Sequence, residues 1–151
     1  MKLALVLSLA LSITTVPQQK VIDHNTKSGF AAKGYDVVAY YSKKVVKGNS
    51  DMVLRYKGAR YKFSSRANYN KFKTNASKYA PQYGGWCAYA MADKGEKVDI
   101  DPYTYEIRNG KLYLFYNFWG NNTLKDWQKE GPNKLIKKAD SNWARIKYKK
   151  S

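Results

Sequence analysis

Tyr103-Thr104-Tyr105-Glu106-Ile107-Arg108-Asn109-Gly110-Lys111-Leu112-Tyr113-Leu114-Phe115-Tyr116 sets Asn-Gly between two runs rich in aromatic and branched residues. Asn-Gly accepts the two positive φ angles of a tight reverse turn, so the stretch predicts an antiparallel hairpin. A second hairpin is predicted upstream, where Met52, Leu54 and Tyr56 alternate with polar residues. Lys57-Gly58 interrupts the pattern, and Arg60-Tyr61-Lys62-Phe63 resumes it. The apolar runs Val37–Tyr41 and Trp86–Met91 read as two further strands. Between the hairpins, Ser64 and Ser65 cap a helix carrying Tyr69, Phe72 and Tyr79, which Pro81 ends. Asn122 caps a helix with Leu124 and Trp127, and Gly131-Pro132 opens a last one with Leu135, Ile136, Ala139 and Trp143 on its inner face. The order predicts an α+β fold, a small antiparallel sheet with hairpins packed against about three helices.

The chain has 151 residues, 44% hydrophobic and 15% aromatic with 14 Tyr, enough to build a packed core in one domain. Its net charge is +17, from 28 Lys and Arg against 11 Asp and Glu. Such an excess attracts polyanions, and anionic lipid headgroups, acidic polysaccharide and nucleic acid are the candidate partners. The lysines are scattered, which reads more plainly as a solvated basic surface, and no specific nucleic-acid partner is indicated. The dense clusters are Lys43–Lys47, Lys137-Lys138 and a tail, Lys147-Tyr148-Lys149-Lys150, that reads as frayed.

Met1-Lys2 followed by the apolar run Leu3–Ile13 has the form of a secretory leader, assigned to residues 1–19 with the mature start between Thr15 and Lys20. The run is shorter than the roughly 20 residues a membrane span needs, and no second run of that length follows. An exported protein, periplasmic or extracellular, with no transmembrane segment in its mature chain (20–151) is expected.

One cysteine, Cys87, and one histidine, His24, close off an internal disulfide and any zinc site of four Cys or His ligands. No phosphate-binding glycine loop, Cys-x-x-Cys or His-Glu-x-x-His occurs. A Ser-His-Asp arrangement would need His24 as its base. His24 lies in a polar lead that reads as mobile, a poor place for a group that must stay within hydrogen-bond reach of a nucleophile. The chain therefore reads as non-enzymatic.

Gly34-Tyr35-Asp36-Val37-Val38-Ala39-Tyr40, Tyr61-Lys62-Phe63-Ser64-Ser65 and Lys78-Tyr79-Ala80-Pro81-Gln82-Tyr83-Gly84-Gly85-Trp86-Cys87-Ala88 are similar to segments of exported YHS-domain proteins. Asp101-Pro102, Gly110–Leu114 and Ala139–Trp143 extend the resemblance over about Gly29 to Trp143. It implies a small α+β domain derived from a treble-clef module. Other YHS domains carry cysteines thought to bind metal. Their positions fall here on Ser64 and Asn68, with an earlier one near Ala39. Serine and asparagine are poor ligands for soft metals, so the resemblance implies a module without its metal cysteines.

The most specific stretch supplies the expected ligand-binding set: Tyr83, Gly84, Gly85, Trp86, Cys87 and Tyr89. Cys87 and Met91 fall on one face in a strand, with Tyr89, or in a helix. A thiol beside a thioether would suit copper as Cu(I) or another soft ion; a small buried hydrophobe is the plainer reading of Cys87. Asp36 and Asp101 read as turn stabilisers, and Asp140 as a partner for backbone or for Arg and Lys neighbours. Trp127 and Trp143 read as core and Trp119 as the exposed tryptophan. The expected function is a module binding a small ligand or soft metal ion near Cys87. The alternative is a basic envelope-associated protein binding anionic lipid or polysaccharide.

Overall fold

A computed structural model describes residues 18–150. All but the end of the expected leader lies outside the described residues. The elements are β1 (Asn49–Tyr56), β2 (Ala59–Phe63), α1 (Arg66–Thr74), α2 (Ala76–Tyr79), α3 (Ala88–Asp93), β3 (Asp101–Arg108), β4 (Lys111–Phe115), β5 (Asn117–Phe118), β6 (Asn121–Asn122), α4 (Thr123–Glu130) and α5 (Pro132–Ile146). The fold is α+β, as expected. Its strands form three separate antiparallel pairs, β1–β2, β3–β4 and β5–β6. Among the described residues no helix is long and apolar enough to cross a membrane.

Turn chemistry fixes the hairpins. Lys57-Gly58, Asn109-Gly110 and Trp119-Gly120 each join a strand pair with positive φ at both positions, the combination a two-residue hairpin loop requires. Every residue of β4 beyond Lys111 is buried. Leu112 and Leu114 join a core with β1, β2 and α1, including Tyr61, Phe63 and Phe72. Tyr113 and Phe115 join a second core with α3, α4 and α5, including Met91, Trp127 and Leu135. Alternate side chains of one strand thus serve two cores, and β4 is the wall between them.

The two runs read as isolated strands have other forms. Val37–Tyr41 enters a 3-10 turn, Ala39–Ser42. The Asp36 carboxylate accepts from Val38 N at 3.0 Å and Ala39 N at 3.3 Å, bending the chain at once. Val37, Val38, Ala39 and Tyr40 are all buried, so neither face of a strand was left for solvent, and a short apolar run of this kind carries no period. Trp86–Met91 turns into α3. Cys87 caps it through Sγ, which accepts from Ala90 N, and the following Ala-x-Ala-x-Ala favours helix. The helix predicted through Lys78 breaks at Asn75, whose φ of −147° and ψ of 66° separate α1 from α2.

The ends are also more ordered than expected. Asp23 N donates to Lys147 O at 2.7 Å, and Lys149 N donates to Val21 O at 2.9 Å. Ile22 and Tyr148 form an antiparallel bridge. The lead expected to be mobile and the tail expected to fray hold each other.

Candidate functional site

Two places gather polar chemistry. The first is Asp36, whose side chain is 0% exposed. Its Oδ1 accepts from Val38 and Ala39 N. Its Oδ2 accepts from Ser64 N at 2.8 Å, Ser64 Oγ at 2.6 Å and Asn68 Nδ2 at 2.8 Å. Ser64 ends the β2 run and Asn68 lies on the first turn of α1, where Ser65 Oγ also accepts from Asn68 N. A buried carboxylate holding that many donors is a structural joint, because every lone pair it would lose to burial is used. The expectation that Asp36 stabilises a turn thus understates its reach, since it ties three segments together.

The second place is a cleft of about 220 Å³ between the N-terminal lead, the β1–β2 turn, the end of α2 and α5. Its walls include His24, Lys57, Tyr61, Tyr83, Gly84, Asp140 and Trp143. The 3-10 turn Gln82–Gly85 builds its floor with φ of 55° at Tyr83 and 62° at Gly84. A bulky aromatic residue in the left-handed region is strained, by about 1–3 kcal/mol. Tyr83 is held there by burial and by its hydroxyl, which donates to Asp140 Oδ1 at 2.9 Å. Burial, reinforced by the Asp140 carboxylate, pushes the Tyr83 hydroxyl well above its ordinary range, so it stays protonated and keeps donating.

The same segment brings His24 to the cleft. Asn25 N donates to Gly84 O at 2.8 Å, Asn25 Nδ2 donates to Gly85 O at 3.2 Å, and Trp86 Nε1 donates to Asp23 O at 2.7 Å. Lys97 Nζ pairs with Asp23 Oδ2 at 2.9 Å. Gly84 must be glycine: a Cβ there would stand 3.0 Å from Trp143 Cη2 and 3.2 Å from Asp23 O, on a backbone of positive φ.

The YHS domain family model matches residues 38–83. The match covers under a third of the chain. The match starts on Val38, which donates to Asp36, and ends on Tyr83, which floors the cleft, so the YHS segment runs from the joint to the site. No curated protein and no solved structure matches the chain.

The metal that the YHS resemblance implies meets a poor donor set. Ser64 Oγ and Asn68 Nδ2, at the positions of the missing cysteines, both spend a hydrogen on Asp36. The Cys87 thiol is 0% exposed. Its sulfur accepts from Tyr116 N at 3.3 Å and Ala90 N at 3.5 Å and lies 3.4 Å from Thr123 Oγ1. Met91 follows Cys87 by one helical turn, but its side chain packs into the other core. Among the described residues no group of three or more His, Cys, Asp or Glu side chains gathers in one place. These residues do not fit a soft ion.

Of the ligand-binding set, Tyr83 and Gly84 line the cleft. Gly85 and Trp86 hold the lead behind it, Cys87 caps α3 inside the core, and Tyr89 turns away to donate to Glu130 Oε1 at 2.7 Å. The sequence reading left out His24, Lys57, Tyr61 and Trp143 as cleft residues, and expected backbone or Arg and Lys partners for Asp140, which instead accepts from the Tyr83 hydroxyl. The pairing of a lone His with the Tyr-Gly-Gly-Trp stretch has no local signal, because Asn25 and Gly84 are far apart in the chain.

Burial lowers the His24 pKa below its ordinary 6.5, against smaller raising contributions from the Ile22 backbone and Asp23. The unfolded chain therefore binds this proton more readily than the folded one. The stabilisation is fully present above about pH 6.5 and is lost as pH falls from there through the lowered folded value. Unfolding midpoints in urea are expected to drop between pH 7 and 5 in the native protein and to drop less in His24→Gln; parallel pH profiles would refute this placement of the imidazole.

Proposed function

We propose that this exported protein is a non-enzymatic binding module that takes a small molecule in the Tyr83 cleft. The observation that carries the reading is the strained Tyr83-Gly84 turn. Strain in a bulky residue persists where the surroundings over-determine it, and such places are enriched in binding sites. Here the turn sets one aromatic floor, a tyrosine–carboxylate pair and an imidazole around one opening. At about 220 Å³ the space is smaller than the roughly 300–1,000 Å³ of sites for drug-sized ligands. Tyr61, Tyr83 and Trp143 suit a flat ring, while Lys57, Asp140 and a neutral His24 supply polar partners of each kind.

The absence of catalysis is part of the proposal. Ser77, the serine of the cleft wall, donates to Asn75 Oδ1 at 3.1 Å. Among the described residues no serine or cysteine is hydrogen-bonded to His24, so the imidazole has no nucleophile to activate. The soft-ion reading of Cys87 and Met91, with copper as its ion, gives way to the cleft because the thiol is enclosed and already partnered. Export itself is testable by fractionation: processed protein outside the cytoplasm is expected, and retention of the full-length chain in the cytoplasm would remove that part.

Binding is best tested by NMR that observes both the ligand and the protein, with a panel of small aromatic compounds such as benzoate, indole and tyramine. At least one member should bind and perturb the His24 ring signals. Trp143→Ala, with its fold checked by circular dichroism, should weaken that binding roughly tenfold, the loss of about 1.4 kcal/mol from one ring contact. A panel that leaves His24 untouched, or an alanine variant that binds equally well, sinks the reading.

A further inference from the structure

We propose that the β5–β6 hairpin is a membrane-surface anchor, in which Trp119 and Phe118 enter the headgroup region of an anionic lipid layer. Trp119 is 97% exposed at the tip of the hairpin, with φ of 55°, followed by Gly120 at 76°. Asparagine or glycine would fit the Trp119 position without strain. A tryptophan there bears the backbone cost of a left-handed turn and packs against nothing in return. The side chain is thus displayed, and the question is to what.

Contacts run from this tip to the lysine cluster at Lys43–Lys47. Phe118 stacks edge-on with Tyr116, their ring centres 5.1 Å apart, and carries Lys33 Nζ over its ring at 5.6 Å. Asn117 Nδ2 donates to Thr104 Oγ1 at 2.9 Å, and Thr104 follows the exposed Tyr103. Tyr103 packs edge-on against Tyr35 at 5.5 Å, and Tyr35 bridges to Lys47, whose Nζ stands 5.9 Å over the Tyr35 ring. Lys43, Lys44 and Lys47 are exposed, and Val46 between them is exposed as well. Of the six exposed large hydrophobic residues among those described, four (Val46, Tyr103, Phe118 and Trp119) lie on this path. The carboxylates nearby are engaged: Asp101 accepts from Tyr103 N and Thr104 Oγ1, and Asp99 pairs with Lys33 at 2.9 Å.

Charge and shape favour a lipid layer over a soluble polyanion. The chain carries +17, and basic residues near an anionic leaflet each add to its attraction. Tryptophan is enriched at the membrane–water boundary, where an amphipathic ring is at home. The tip is a projection rather than a groove: a projection enters a soft layer, whereas an extended polymer needs a cleft or a row of stacking rings to lie along. Electrostatic attraction plus an inserted ring also makes up the two signals that stable peripheral attachment requires. This inference stands on different residues from the cleft and survives the failure of that reading.

The test uses the mature protein with vesicles of phosphatidylcholine alone and with 30% phosphatidylglycerol, a composition in a range that gives a substantial negative surface potential. Sedimentation should show binding to the anionic vesicles that weakens as salt rises, and brominated lipid should quench part of the tryptophan fluorescence. Trp119→Ala should lose that quenching and bind roughly tenfold more weakly. Lys43→Gln with Lys44→Gln and Lys47→Gln should lose binding but keep any residual quenching. The same three changes at Lys134, Lys137 and Lys138 of α5 should cost less, because the path does not reach them. Binding unaffected by Trp119→Ala overturns the proposal, as does failure to bind anionic vesicles at low salt. Perturbation of Trp119 by soluble acidic polysaccharide with none by vesicles would also overturn it.

Discussion

Asp36→Ala is expected to lower the free energy of unfolding by about 4 kcal/mol, measured by urea denaturation followed by circular dichroism. The change strands four donors at once: the amides of Val38 and Ser64, the Ser64 hydroxyl and the Asn68 side-chain amide; the Ala39 amide keeps only the Asp36 carbonyl, at 3.1 Å. Leaving one buried donor unpaired costs about 1–3 kcal/mol, and the four do not add because the loosened segments will admit water. Against a typical total of about 5–15 kcal/mol, the variant would be close to unfolding at 37 °C. Ser64→Ala and Asn68→Ala each remove one arm and should cost about 1 kcal/mol apiece. If Asp36→Ala proves no worse than Ser64→Ala, the carboxylate is not the centre of the joint. Should the full variant fail to express, the two single-arm variants still decide the matter, since a joint predicts that their double combination loses less than the sum.

Gly48→Ala is the second large effect, about 3 kcal/mol. Gly48 N donates to Gly34 O at 2.9 Å, which presses the chain against β2 immediately before β1. A Cβ at Gly48 would fall well inside the contact distance of the Lys62 carbonyl carbon and Cβ and the Phe63 amide nitrogen. Phe63 is fully buried and Lys62 is its backbone neighbour in a paired strand, so neither can step aside. The pairing register also slips between Asn49 and Val53, as it does where one strand is forced to bend. Gly58→Ala is the matched control. It has open space around the new carbon and only a φ of 89° to oppose it, and should cost about 1 kcal/mol. Equal effects of the two substitutions in thermal or urea unfolding would mean that steric contact at Gly48 is not the constraint.

The parts legible in the sequence are those with local causes. Asn109-Gly110 and Lys57-Gly58 announce hairpins because turn geometry depends on the two residues that occupy it, and both turns lie where they are expected. Trp127 and Leu135 are buried and Trp119 is exposed, as their helical spacing and the glycine beside Trp119 indicate. The errors fall where a distant partner decides. Val37–Tyr40 looks like a strand until Asp36 is seen to turn it, and the carboxylate is held by Ser64 and Asn68, 28 and 32 residues onward. His24 looks solvated until Asn25 and Trp86 are found to pin its neighbours across separations of 60 residues or more. Ser64 and Asn68 are recognisable from the YHS resemblance as replaced positions; that they converge on a carboxylate is not, because Asp36 lies outside the spacing that defines them.

The clasp between the chain ends has a mechanical side. Val21 pairs with Lys149 and Asp23 with Lys147, so the antiparallel ladder brings the two ends of the described residues to the same extremity. Tension applied through the two terminal segments would peel these bonds one after another, as a zipper opens, instead of shearing them together. The first piece released would be the strip bearing His24, and with it one wall of the cleft.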